Sequence, residues 1–296
     1  MASAFSRVAL IGFGEVGQTL GADLLAAGVA IAAYDVLFAK PDSVPSRALA
    51  RIAVRRAENA AAVKDAELVI SAVTAASDIE AARSVAAALP RGTFYFDVNS
   101  VSPGTKRACA DIIEAAGGRY VEAAVMTPIA PKRIASPMLL GGPHAADFIA
   151  RAQSLGFAGE VFSREIGLAS ATKMCRSVII KGVESLLCES MVAARHYGVD
   201  KTVLDSLSDL LPVGDWDRLA RYMISRSLEH GARRAEEMRE AAKTVQEAGL
   251  EPLMAAATAK REEWSAAHRD ARNLQELGAM LDAMRAGERA AERAAE

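Results

Sequence analysis

Apolar residues fall in short runs along the first half of the chain and at helical spacing along the second half. The runs RVALI (7–11), AIAAYD (30–35), DAELVISAV (65–73), TFYFDVNS (93–100), RYVEAAVM (119–126) and PMLLGG (137–142) predict strands. Between them, 19–28, 77–89 and 103–117 carry the 3.6-residue period of helices, the last opening on Pro103 at its first turn. Strands alternating with helices predict a doubly wound parallel sheet covered on both faces. From about residue 164 the strand signals stop. Helical periodicity then covers 168–197, 200–211, 215–229, 231–248, 251–267 and 270–293, punctuated by Gly198, Pro212, Gly249 and Pro252. The expected division is an α/β domain over 1–163 and an all-α domain over 164–296. The alanine-rich, charged 287–296 reads as a frayed helix end.

The first strand runs into glycines 12, 14 and 17, then a helix, then a strand ending in Asp35, eighteen residues beyond Gly17. This order is the βαβ dinucleotide-binding fingerprint. Gly12 permits the tight turn, Gly14 lets the backbone approach a pyrophosphate, and Gly17 lets the helix pack on the strand. Phe13, Glu15 and Val16 complete the turn, whose helix N-terminus offers NH groups and partial positive charge to phosphates. A carboxylate at Asp35 suits a ribose hydroxyl and repels a 2′-phosphate, so NAD is expected ahead of NADP, with Lys40 and Arg55 able to moderate that preference. Ligands of such sheets bind beyond the carboxyl ends of the strands, which adds Val73, Thr74 and Asn99 to the cofactor set and points to Ser100, Val101, Ser102 and the 126–128 loop beside it.

Composition narrows the class. The chain has 296 residues, 51% of them hydrophobic and only 5% aromatic, with a formal net charge of −2 and no long basic block. That argues against nucleic acid as partner. Cys109, Cys175 and Cys188 have no metal-ligand spacing and read as reduced thiols; no metal site is expected. The N-terminus runs straight into the first strand without a signal-peptide pattern, and no apolar run reaches the ~18–20 residues that span a bilayer. A cytoplasmic protein without a membrane partner is expected.

One stretch stands out in the second half. Lys173, Ser177 and Lys181 are spaced i, i+4, i+8 on an otherwise apolar helix, with Ser170 and Glu184 extending the stripe. Such lysines lie at a helix rim or in a polar cavity, and the pattern alone leaves both open.

Taken with the segments FDVNSVSPGTK (96–106), YVEAAVMTPIAPKRIASPMLLGG (120–142) and GLASATKMCRS (167–177), the chain resembles the β-hydroxyacid dehydrogenase superfamily, which includes 6-phosphogluconate and 3-hydroxyisobutyrate dehydrogenases. The three segments are similar to the family's D-x-S/T-S-x-x-P loop, its D-A-P-V-S-G-G segment and its G-x-G-x-x-x-K-x-x-N-N motif. HGARRAEEM (230–238) points to a branch described as 6-phosphogluconate-dehydrogenase-like. The resemblance implies a Rossmann domain followed by an all-helical domain that also forms a homodimer. It puts the catalytic lysine at Lys173. Ser177 and Arg176 stand where the family has two asparagines, and Val125-Met126-Thr127-Pro128 stands where it has V-S-G-G, so the usual carboxylate cradle is altered. Ser100, Val101, Ser102, Thr127, Arg176 and Ser177 are the expected substrate contacts. Lys181, His230 and Arg233 join them unless salt bridges such as Arg233–Glu237 claim them. Trp216 either walls a pocket or belongs to the core.

These features together predict an NAD(P)-dependent dehydrogenase or reductase acting on a small hydroxy acid, a sugar acid or the oxo form, with a carboxylate substrate and Lys173 as general acid/base. An imine or keto reductase on the same scaffold and a non-catalytic dinucleotide sensor are the alternatives. The retained lysine favours alcohol and carbonyl chemistry.

Overall fold

The computed structural model describes residues 3–207, 211–212 and 214–295. The chain divides into two compact units at Met174/Cys175, eleven residues later than the expected 163/164 boundary. The reason is that one continuous helix begins in the first unit and runs on into the second.

The first unit is an eight-stranded sheet. Its strands are β1 (Arg7–Ile11), β2 (Ala30–Tyr34), β3 (Arg55–Arg56), β4 (Leu68–Ser71), β5 (Phe94–Asp97), β6 (Arg119–Val125), β7 (Met138–Gly141) and β8 (Gly159–Ser163). The order across the sheet is β3-β2-β1-β4-β5-β6-β7-β8. All pairs are parallel except β6–β7. The β6–β7 pair runs antiparallel because only a short 3-10 turn, Arg133–Ala135, lies between these strands. A parallel return needs a longer crossover. The strands β3 and β8 were not anticipated.

Helices α1 (Glu15–Ala26), α2 (Val44–Leu49), α3 (Asp78–Ala86), α4 (Pro103–Ala115) and α5 (Ala145–Ala152) connect the strands. Alternate strand residues feed two apolar layers. Leu10, Ile70, Phe94 and Phe96 pack with Leu20, Leu24 and Phe148 in one layer. Ala9, Ile11, Val69 and Tyr95 pack with Val85, Cys109 and Ile113 in the other. Burial on both faces is why these strands read as continuous apolar runs.

The second unit is helical. It takes in most of α6 (Leu168–Tyr197), then α7 (Asp200–Leu207), α8 (Trp216–Glu247), α9 (Leu253–Ala267) and α10 (Leu277–Ala295). Met191, Ile224, Leu228, Met280, Leu281 and Met284 form its core, which includes Trp216. Two helices expected at 215–229 and 231–248 are one. Gly231 does not break α8; a Cβ there would lie 2.3 Å from the Glu262 carbonyl oxygen, so glycine is what lets α9 approach. Residues 208–210 and 213, within the expected 200–211 helix and the turn after it, lie outside the described residues.

Candidate active site

The nucleotide cradle follows from three glycines with different surroundings. Gly12 has φ +92°, and a Cβ there would sit 2.3 Å from the Ala72 carbonyl oxygen. A Cβ on Gly17 would sit 2.2 Å from the Gly12 carbonyl oxygen. These two glycines let backbone pack on backbone. Gly14 differs: a Cβ there meets no described atom within 4 Å. It is also the N-cap of α1 and makes no side-chain cap bond. The orphan NH groups of the first turn, the open space and the absent side chain suit a phosphate. Asp35 closes the turn: its carboxylate accepts from Phe13 N at 2.7 Å and from Leu37 N at 2.8 Å. Two lone-pair positions remain for a ribose hydroxyl. Glu15 is exposed and Val16 half-buried. This cradle fits a dinucleotide.

Val73 and Asn99 are tied to one another. The Asn99 side chain accepts from Val73 N at 2.7 Å and donates to Ser71 Oγ at 2.9 Å and Asp78 Oδ1 at 2.7 Å. Its carboxamide hydrogens are both engaged, so Asn99 braces the ends of β4 and β5 and offers a ligand no free amide hydrogen. Thr74 is exposed, its hydroxyl 3.2 Å from Ser77 Oγ.

Beneath this loop lies a charged cluster with no counterpart in the sequence-based expectations. Lys106 Nζ is 2.7 Å from Asp97 Oδ1 and donates to the Asp97 carbonyl at 3.0 Å. Tyr120 OH donates to Asp97 Oδ2 at 2.6 Å, and Asn99 N to Asp97 Oδ1 at 2.9 Å. Lys106 and Asp97 are 1% and 0% exposed. Burial, then the charge of Asp97, pushes the Asp78 carboxyl well up. Burial opposes the Lys106 ammonium, but Asp97 and Asp78 outweigh it and raise its pKa. Donor atoms of Asp78, Asp97 and Cys109 lie within 4.8 Å of one another. The Lys106 ammonium already supplies the positive charge there, and burial pushes the Cys109 thiol up, so the set does not fit a metal ion.

Above the cluster, Ser100, Val101 and Ser102 lead into α4, with Ser102 accepting from Thr105 N at 3.1 Å as its N-cap. Lys173, half-buried in the second turn of α6, donates from Nζ to Ser100 Oγ at 2.6 Å. Ser170 Oγ donates to the Val101 carbonyl. The buried Glu122 of β6 accepts from Gly167 N and Ser170 N at the start of α6. Thr127 and Pro128 are exposed in the loop after β6.

Arg176, Ser177, Lys181, His230 and Arg233 belong to the helical unit. Arg176 is exposed and Ser177 buried. Lys181 forms a salt bridge with Glu237, which also takes Arg233 at 2.7 Å. Arg234 pairs with Glu184. Arg226 donates to His230 Nε2 at 3.1 Å, since a guanidinium has no acceptor. Burial, Arg226 and Arg233 lower the His230 pKa. Lys181, His230 and Arg233 are therefore engaged within the helical unit. Trp216 is buried in the core.

Comparison with known proteins agrees with this layout. Residues 7–153 match the NAD binding domain of 6-phosphogluconate dehydrogenase, and residues 194–265 match a domain of unknown function (DUF1932). A conserved hypothetical protein from Sinorhizobium meliloti is 34% identical, with 95% of this chain and 96% of that one covered and a TM-score of 0.73. A conserved protein described as structurally similar to 3-hydroxyacid dehydrogenases is 31% identical over 88% of this chain and 96% of its own, TM-score 0.68. The chain belongs to the β-hydroxyacid dehydrogenase superfamily. A Mycobacterium tuberculosis 3-hydroxyisobutyrate dehydrogenase shares the fold at 19% identity, covering 95% of this chain and 99% of that one, TM-score 0.70.

As a superfamily member the protein takes NAD(P) as cofactor. When bound, that cofactor accepts or supplies a hydride at its nicotinamide.

Proposed function

We propose that the protein is an NAD(P)-dependent oxidoreductase acting on the CH–OH group of a small hydroxy acid or sugar acid, or on its oxo form. One observation carries this reading: Lys173 Nζ lies 2.6 Å from Ser100 Oγ, at the carboxyl end of β5 and in the same unit as the Gly14 cradle. In oxidation Lys173 accepts the hydroxyl proton as the C–H hydride leaves. In reduction it returns a proton to the forming alkoxide. Ser100, Val101, Ser102 and Thr127 are the proposed contacts for the substrate carboxylate. Asp35 supports NAD as the preferred form. Replacing Lys173 with Ala is expected to leave NADH binding intact, measured by fluorescence, and to lower kcat/KM about 100-fold or more. Unchanged turnover would remove Lys173 from the mechanism.

We also propose a cytoplasmic homodimer. The exposed Ile179, Ile180, Val183 and Leu186 along α6 support an interface with a second copy. A monomer by light scattering at micromolar concentration overturns the dimer.

A further inference from the structure

Lys173 is carried by the 30-residue helix α6. Its first turn is held by an acid from the middle of the sheet. Glu122 is fully buried in β6, opposite Asp97 of β5 and Gly141 of β7. Its two carboxylate oxygens accept from Gly167 N and from Ser170 N, the latter at 3.0 Å. These are amides a helix start otherwise leaves unsatisfied. A carboxylate against that end also offsets the helix dipole.

The neighbourhood is shaped around this contact. A Cβ on Gly141 would lie 2.8 Å from Glu122 Cδ, so glycine there makes room for the longer acid. Gly167 has φ +106°, and a Cβ there would meet Arg107 Nη1 at 2.8 Å and Pro103 at 3.1 Å. The turn into α6 therefore calls for glycine at this position. Ser170, whose NH Glu122 holds, turns its hydroxyl to the Val101 carbonyl. One turn on, Lys173 meets Ser100.

We propose that Glu122 is a positioning residue: by holding Gly167 and Ser170 it fixes the first turn of α6 against β6, and so sets the Lys173 ammonium against Ser100. The proposal rests on the reading of Lys173 as the proton-transfer group, but the clamp itself is measurable without turnover.

The test uses full-length Glu122→Ala and Glu122→Gln. Hydrogen exchange by mass spectrometry reads the amides of 167–174. Trinitrobenzenesulfonate labelling, quantified at Lys173, reads the freedom of its amine. In Glu122→Ala, exchange in this segment accelerates about tenfold, as expected for a lost helix cap, while β1 and α1 keep wild-type protection. Lys173 labelling accelerates with it, and NADH affinity stays within about twofold, since the cradle is untouched. Glu122→Gln keeps one acceptor oxygen and gives a smaller acceleration. The turnover number falls about 10–100-fold in Glu122→Ala with little change in the cofactor KM, the signature of a displaced catalytic group.

Unchanged exchange and labelling at 167–174 in a folded variant overturn the clamp. Protection lost throughout the sheet, in Glu122→Gln as well as Glu122→Ala, assigns Glu122 to general stability and also overturns it. Local loosening with freed Lys173 upholds the clamp even where Lys173→Ala retains full turnover. In that case the proton-transfer reading fails on its own.

Discussion

Replacing Lys106 with Met should strip the Rossmann unit of its most buried cation while keeping most of its volume. Lys106 is 1% exposed and Asp97 0%. Met keeps the packing of the stem but leaves the Asp97 carboxylate with Tyr120 OH and the Asn99 NH as its remaining donors. Asp78, its carboxyl pushed well up by burial and by Asp97, supplies no countercharge. Breaking one partner out of a buried pair typically costs about 3–5 kcal/mol. Against a total of about 5–15 kcal/mol for a domain, that is a large share. The expected fall in Tm is about 6–20 °C for a unit of this size. Urea unfolding followed by circular dichroism measures the loss. The double variant Lys106→Met/Asp97→Asn supplies the decisive comparison. Removing the stranded charge should recover a good part of the stability, because the cost lies in an uncompensated carboxylate and not in missing contacts. A Lys106→Met loss under about 1 kcal/mol, or a double variant no better than the single, would refute the account.

The glycines of the cradle should separate fold from function. Gly14→Val places its side chain in open space, so Tm should hold within a few degrees while NADH affinity, read by fluorescence titration, falls at least about tenfold. Gly12→Ala instead combines φ +92° with a 2.3 Å approach to backbone and should cost about 1–3 kcal/mol of stability. In the helical unit, burial pushes the Glu262 carboxyl up to about 7 from an ordinary 4.5, with Arg234, Glu184, Ser227 and Lys181 around it. A raised acid favours the folded state in its protonated form, so its contribution is whole below pH 4.5 and is lost as pH rises through 7. Glu262→Gln should flatten that fall and gain up to about 3 kcal/mol at pH 8; an unchanged slope in pH-dependent unfolding sinks the assignment.

Much of the fold is legible because its strands are buried on both faces and its helices keep an apolar stripe. What was not legible has physical reasons. The strand β3 is two exposed arginines, and β8 is mostly exposed, so neither carries a buried pattern. The reversed β7 follows from the lack of an α-helix between 126 and 137, a matter of connection length more than of residue type. Gly231 looks like a break in a single sequence. Only the α9 backbone against it explains a glycine that would otherwise cost its helix about 1 kcal/mol.

The site divides along the same line. Periodicity marks the Lys173–Ser177–Lys181 stripe as polar on an apolar helix, but spacing along one helix carries no information about what lies opposite. Opposite Lys173 is a serine 73 residues earlier; opposite Lys181 is Glu237, 56 residues later. One lysine thereby faces the carboxyl ends of the strands, and the other is consumed by an ion pair. The residues missed altogether share a different signature. Asp97 ends the run FYFD and Glu122 interrupts YVEAAV, both among apolar neighbours inside buried strand segments. An acid in such a run is costly unless something distant repays it with a charge or several hydrogen bonds. Asp97 is repaid by Lys106, Tyr120 and a backbone amide, Glu122 by the start of α6. Both partners lead to the loop and the helix that meet at Ser100 and Lys173. A lone acid in a buried strand thus points toward the element that must be held still, and here both acids point to the same place.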